Sequence, residues 1–385
     1  MKMPAVGLVG LMCAMGLMGF APAKPIQPIG SVAHAADTSQ VAIHLDGCFF
    51  FTDNEYFGRR IEGYTLPGVR LTPKVAWRLT DRLVLQGGVS WLHYWGAGYY
   101  PAQVAYGVLP DHSDTLSPLH LVPWLQARLL MTDGLCLTFG SLDPDGHRLP
   151  RPLYNPERLY AADPEQGLRL QAQGAWGDAD LWVDWRQFIW NRSPRQERFT
   201  MGFSSQLILP LGNGWQGYTP LHFLVQHVGG QVLAQTTPIE NHFNAAAGVG
   251  IAHRGDVWRF AADWRFFWHH QHGDASIPFS QGWGHYAQAS LSYGNHLSLD
   301  LGYWYGERFV PLMGSALYSS LSSVDPTLAL DPTQTLSLSI GYGWQPSGQP
   351  FRLQVAADLY YDMGERQMQW AMGCALAINP TIRLR

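Results

Sequence analysis

The chain has 385 residues, a formal net charge of −4 and only 14% charged residues, against about 25% in a typical soluble domain. That balance leaves no basic footprint for nucleic acid. The length is large for one soluble core and ordinary for one closed barrel. Aromatics make up 13%, with 16 Trp and 17 Tyr.

Met1-Lys2-Met3 opens the chain, followed by an uninterrupted apolar run from Ala5 to Phe20. The run ends at Ala21-Pro22-Ala23, a small-x-small cleavage pattern, so residues 1–23 read as a secretory signal peptide. Ala33-His34-Ala35 offers a second cleavage point, after Ala35. Residues 24–40 read as a linker and 41–385 as one domain. Beyond the signal only Cys48, Cys136 and Cys374 remain. An odd, sparse count in an exported chain argues against a disulfide framework. No later stretch is apolar for long enough to be a membrane helix.

The first strand is expected at Val41–Thr52, where Val41, Ile43, Leu45, Phe49 and Phe51 share one face. A polar loop follows, and then Val69–Leu79 and Leu83–Tyr94. Leu119–Met131 pairs with the short Leu135–Ser141. Leu168–Ala175, Asp180–Trp190, Arg198–Pro210, Leu221–Val232 and Phe243–His253 come next. Val257–Trp268 puts Trp258, Phe260, Ala262, Trp264, Phe266 and Trp268 on one face, with Arg259, Asp263 and Arg265 on the other. Trp283–Tyr293 precedes the cleanest alternation, His296–Tyr305, which sets Leu297, Leu299, Leu301, Tyr303 and Tyr305 against His296, Ser298, Asp300 and Gly302. Leu336–Trp344, Phe351–Tyr361 and Met368–Ile378 complete the set. Side chains of a strand alternate between faces, so each segment is half oily and half polar.

The breaks between strands are sorted by length. Tight turns such as Thr132-Asp133-Gly134, Arg254-Gly255-Asp256 and Gly294-Asn295 carry hairpin chemistry. They alternate with long segments: 95–118, 143–165, 269–282 and 309–332. This predicts an all-β fold: a transmembrane antiparallel β-barrel of about sixteen strands, or fourteen if one hairpin belongs to a loop, with short periplasmic turns and long extracellular loops. The bacterial outer membrane is the expected location and its lipid the expected partner.

The signal, the alternating strands and the loop asymmetry resemble Gram-negative outer-membrane β-barrel proteins of the porin size class, over residues 41–378. Asp180–Asn191 (D-L-W-V-D-W-R-Q-F-I-W-N) and Asp53-Asn54-Glu55-Tyr56 are similar to uncharacterised outer-membrane proteins of Bacteroidota. That likeness implies no assigned activity. The porin size class implies transport, and homo-oligomers are common in it.

On the polar faces lie Arg70, Lys74, Arg78, Arg128, Arg169, Arg186, Arg198, Arg259, Arg265 and Arg352, with Asp46, Asp180, Asp184, Asp263, Asp300 and Asp358. One reading is a lumen whose positive excess favours small polar or anionic solutes. The other is an ion-pair network that braces a plugged, structural barrel. Trp124, Trp182, Phe188, Trp190 and Phe267 are large residues at inward positions, fit for a stacking track or for sites above the membrane. The 143–165 loop holds Pro144, Pro150, Pro152, Pro156 and Pro164. It reads as stiffened, able to dip into the lumen or to cover it.

His269-His270-Gln271-His272 is the only histidine cluster. It lacks a carboxylate pattern beyond Asp274, so neither metal nor cofactor is expected. A hydrolytic barrel needs a nucleophile or a carboxylate base near a histidine. His285 with Ser290, or Asp111 and Asp114 with His112, could be assembled, at spacings that are not distinctive. No G-x-S-x-G elbow occurs. The expectation is therefore a porin-like channel and no enzyme, with a structural or anchoring barrel second and an outer-membrane enzyme third.

Overall fold

A computed structural model describes residues 41–96, 120–143, 145–192, 196–230, 239–273, 277–325 and 327–384. The expected signal peptide and linker, Asp111, His112, Asp114, Pro144 and Asp274 lie outside these residues. The strands are β1 (Val41–Glu55), β2 (Tyr64–Arg78), β3 (Leu83–Tyr94), β4 (His120–Thr132), β5 (Leu135–Ser141), β6 (Gln166–Gly174), β7 (Gly177–Gln187) and β8 (Glu197–Gly212). Then follow β9 (Trp215–Gly229), β10 (Glu240–Arg254), β11 (Trp258–Gly273), β12 (Gln281–Tyr293), β13 (Leu297–Glu307), β14 (Thr333–Trp344), β15 (Phe351–Asp362) and β16 (Gln367–Ile378).

Each strand pairs antiparallel with the next, and β16 closes on β1, for example Phe51 opposite Cys374. A short segment, β17 (Thr381–Leu384), continues the line of β16 beyond Asn379-Pro380 and also pairs with β1. Proline has no N–H to give the ladder, so the break falls there. Sixteen strands thus close the barrel. No helix among the described residues is long and apolar enough to cross a membrane; the strands make the crossing. Cys48, Cys136 and Cys374 are all free thiols.

The alternation settles which face meets lipid. On β13, Leu297, Leu299, Leu301 and Tyr303 are exposed on the outside, while Gly302, Trp304 and Gly306 are buried inside. Exposed aromatics gather at two levels: Trp185, Trp264, Trp268 and Tyr303 toward the long-loop ends, and Trp77, Trp215, Trp258, Tyr293, Tyr342 and Trp344 toward the short turns. An apolar band between two aromatic girdles is the outer surface of an outer-membrane barrel.

Several strand boundaries differ from the sequence expectation, β9 for example starting at Trp215 rather than Leu221, and three differences bear on the site. β7 ends at Gln187 after a bulge at Trp185–Gln187, so Phe188 and Trp190 lie past the strand, 70% and 57% exposed, not inward. Trp124, Trp182 and Phe267 do face in and are buried. The histidine tract belongs to β11 rather than to a loop: His269 is buried inside, and His270 faces out against Trp268 at 5.4 Å. The first hairpin also runs further than its sequence suggests, pairing Asn54 with Tyr64.

Candidate functional site

Two of the long loops fold into the barrel. Segment 142–165 leaves β5, crosses the interior and returns to β6. On the far wall Arg151 donates to Tyr360 Oη at 2.7 Å and to Asp358 at 3.2 Å. Asn54 Nδ2 donates to Glu157 at 2.7 Å, and Arg70 Nη1 donates to the Leu159 carbonyl at 2.8 Å. Segment 308–332 enters from β13 and is pinned by Asn244. That side chain donates to the Val310 carbonyl at 3.0 Å and accepts from the Leu312 amide at 2.9 Å. Inside, the two segments meet backbone to backbone, Asn155 N–H on the Met313 carbonyl at 2.8 Å and Ser315 N–H on the Arg151 carbonyl at 3.1 Å. Leu149, Leu153, Tyr154, Phe309, Leu312, Met313 and Tyr318 pack with Trp182, Phe267 and Trp304 of the wall into one apolar core. A barrel interior filled this way gains the hydrophobic burial that a water-filled lumen lacks. Between the loops and the β1, β2, β15 and β16 walls a cavity of about 50 Å³ remains, room for a few waters.

At the root of the first loop sits His147, 1% exposed. Its Nε2 meets Glu165 at 2.5 Å and its Nδ1 meets Asp180 at 3.2 Å. The ring stacks on Trp182 with centroids 3.7 Å apart and planes 2° from parallel. Trp182 in turn lies flat on Gly202, where a Cβ would come within 2.1 Å of the indole. Arg169 binds both oxygens of Asp180, at 2.9 and 2.6 Å, and Asp145 at 2.7 Å. Burial opposes the imidazolium, but the Glu165 carboxylate, helped by the bond to Asp180, raises the His147 pKa to about 9. Burial likewise opposes the Glu165 carboxylate, and His147 overrides it, holding the acid below its ordinary range. Asp145, His147 and Asp180 bring donor atoms within 4.8 Å of one another, the spacing of a cation site. Arg169 already supplies positive charge there. Ser204 Oγ donates to the His147 carbonyl at 2.7 Å, not to the ring. With both ring nitrogens on carboxylates, this centre clamps the loop; it has no free base to offer a substrate.

Every sequence-predicted charge on the strands sits at an inward position. Arg70, Lys74, Arg78, Arg169, Arg265, Asp180, Asp184 and Asp263 are buried. Arg128, Arg186, Arg198, Arg259, Arg352, Asp46, Asp300 and Asp358 are partly buried. The structure brings together Lys74 with Asp46, Arg186 with Asp184, Arg265 with Asp263 at 2.8 Å, and Arg128 with Asp143 at 3.9 Å. Arg259 caps a short turn by donating to Asn295 at 3.2 Å. His285 and Ser290 are kept apart: they are five positions apart on β12, so His285 faces the membrane and Ser290, buried, faces in.

That parity leaves an imidazole on the oily face. His285 sits among Trp264, Phe266 and Trp283, at 5.3, 5.4 and 5.1 Å between ring centroids. Its Nδ1 is buried and has no hydrogen-bond partner. Across the ladder lies Tyr305, whose hydroxyl donates to Glu307 at 2.5 Å. The patch stands at the upper aromatic girdle, the depth of lipid headgroups. The sequence did carry a sign of it, namely a histidine in the series Trp283, His285, Ala287, Ala289, Leu291, where lipid-facing positions should be apolar. Tyr305 and Glu307 gave no such signal, because rim tyrosines and acids are common.

The fold and its two girdles define a bacterial outer-membrane β-barrel protein. The chain belongs to the family described as Lipid A 3'-O-deacylase-type, which matches residues 33–385. That description names an enzyme and overturns the expectation that the chain is not one. It is also a family described by an activity, where the wording of Asp180–Asn191 pointed to proteins with none assigned. No curated protein matches the sequence. Among solved structures, a loop-deletion form of OmpT, an outer-membrane protein of Vibrio cholerae, is similar at TM-score 0.50 and 10% identity, covering 89% of this chain and 100% of that one. OpdK of Pseudomonas aeruginosa with vanillate gives TM-score 0.48 and 10% identity, over 89% of this chain and 99% of that one. OccAB4 of Acinetobacter baumannii gives 0.45 and 12%, over 90% and 99%. At 10% identity the likeness to OmpT is one of fold alone.

Proposed function

We propose that the protein is an outer-membrane hydrolase that removes an ester-linked acyl chain from a lipid A-type glycolipid, with His285 as general base. The observation that carries this is a lipid-facing imidazole at headgroup depth whose buried Nδ1 has no hydrogen-bond partner, a feature His270 shares, in a chain of this family. Water attacks the acyl carbonyl. His285 takes the water proton as the carbon–oxygen bond forms, and the departing alkoxide recovers that proton when the ester bond breaks. The products are a free fatty acid and a free hydroxyl. Such a base contributes about 10²–10⁴ in rate. The test is fatty-acid release from purified lipid A in detergent micelles by the wild type and by His285→Gln. A loss of about 100-fold or more with an intact, heat-modifiable barrel is expected. Undiminished release by His285→Gln would sink the assignment.

Passive passage of small polar or anionic solutes is the second reading, and the inward cations favour it. The two loops inside leave little room for a wide path. Stepwise, anion-preferring conductance in a planar bilayer would move this reading to the front.

A further inference from the structure

We propose that a groove on the outer wall, which begins one outward row below His285 and runs across β13, β14 and β15 to β16, holds one acyl chain of the ester-bearing lipid, an inference that rests on the hydrolase reading. The groove is about 570 Å³ and is lined by Ala287, Ala289, Leu301, Tyr303, Leu336 and Met368, among others. Its rows follow the ladder. His285 is opposite Tyr305; the next outward row sets Ala287 opposite Tyr303 and Tyr303 opposite Leu336; the row after that sets Ala289 opposite Leu301. On the other side of β12, Ala287 faces Trp264. The small side chains Ala287 and Ala289, with Ala262 opposite Ala289 on β11, lower the wall beside the Tyr303–Leu301 edge.

The occupant follows from where the hollow lies. It opens on the lipid-facing side, between the two aromatic girdles, so what fills it in the membrane is hydrocarbon. Its volume falls within the range of ordinary ligand pockets, roughly 300–1,000 Å³. His285 lies on β12 one outward position above Ala287, at the groove's edge. An ester at headgroup depth with its carbonyl on His285 directs the acyl chain past Ala287 and Ala289 and across the wall toward Leu336 and Met368. The groove thus fixes which bond is presented, by holding the chain next to it.

The experiment offers the protein in detergent micelles a mixture of acylated glucosamine phosphates whose ester-linked chains are graded from short to long. Released fatty acids are read by mass spectrometry for the wild type, Ala289→Phe, Leu338→Ala and His285→Gln. Ala289→Phe should lower release of long chains about tenfold relative to short ones, the scale on which apolar pockets discriminate. Leu338 also lines the groove, so Leu338→Ala enlarges the hollow without adding bulk and should shift the preference toward longer chains. If His285→Gln abolishes release while both groove variants keep the wild-type chain profile, the groove proposal falls and the hydrolase reading survives. Release that persists in His285→Gln overturns His285 as the base, and absence of release by the wild type overturns the hydrolase reading and the groove proposal with it. A change of oligomeric mass in Ala289→Phe with an unchanged chain profile would make the face a contact between copies, and would also overturn the proposal.

Discussion

Arg169→Met tests whether the inward loop is held by charge. The guanidinium is 3% exposed and Asp180 is 0% exposed. Methionine keeps most of the stem volume but removes three bonds to carboxylates, two to Asp180 and one to Asp145, and one to the Asp143 carbonyl. Asp180 would then be left buried with His147 alone. Breaking a buried pair from one side typically costs about 3–5 kcal/mol, because a desolvated charge is stranded. The double change Arg169→Met with Asp180→Leu should recover part of that loss, since the buried carboxylate goes with its partner while His147 keeps Glu165. The measurement is urea unfolding from lipid vesicles followed by tryptophan fluorescence, paired with limited proteolysis within 145–165. Under about 1 kcal/mol for the single change, with the loop still protected, would mean that this network is hydrated and does not hold the loop.

Leu299→Arg on the lipid face should cost about 2–4 kcal/mol, whereas Ser298→Arg on the inner face should be mild; equal tolerance in the same unfolding assay would contradict the assigned faces. The loop should also loosen in alkali. His147, raised to about 9 from its ordinary 6.5, adds stability that is complete below the ordinary value and lost as pH climbs through 9. Glu165, held below its ordinary value by His147, contributes in the opposite sense, its share being lost in acid. Asp180, Asp145 and Arg169 are the other charges facing the ring. Protease nicking of 145–165 should therefore rise between about pH 7 and about pH 10, and a flat profile would count against the clamp.

The barrel was legible because period-two alternation is local: the series Trp258 to Trp268 declares its outer face without reference to any other strand. The inward charges were legible for the same reason. What fills the barrel was not. Leu149, Leu153, Phe309, Leu312 and Met313 follow no strand or helix period, and their burial depends on two loops meeting across the lumen, a long-range fact. The five prolines of 143–165 did suggest a stiff loop able to enter the lumen, and Arg151 and Glu157 show how it is tied to the far wall. The site was half legible. His285 was named beside Ser290, although a separation of five residues on a strand sets the two on opposite faces. Reading that parity through would have left His285 alone on the oily side, next to the alanines of the groove.

The outer patch also depends on what lies behind it. Gly284 precedes His285 and faces in, where Trp304 lies flat across it and across Gly306; a Cβ at either would come within 2.5 or 2.8 Å of the indole. Trp304 is fully buried, donates to Thr333 at 2.9 Å, and packs edge-on against Phe267, Phe309 and Tyr318. The filled interior thus presses a rigid ring against the inside of the wall that carries His285 and Tyr305 outside, and a site set on rigid strands is held more closely than one on loops. Gly284→Val must push Trp304 off the wall, at a cost of about 1–3 kcal/mol, and shift His285 with it. A displacement near 1 Å is enough to lower turnover about 100-fold. The expected signature is a fall in kcat for acyl release with KM and chain-length profile kept, because the groove residues are untouched. Full activity in a measurably destabilised Gly284→Val protein would show that the lipid-facing patch keeps its geometry without the packed interior.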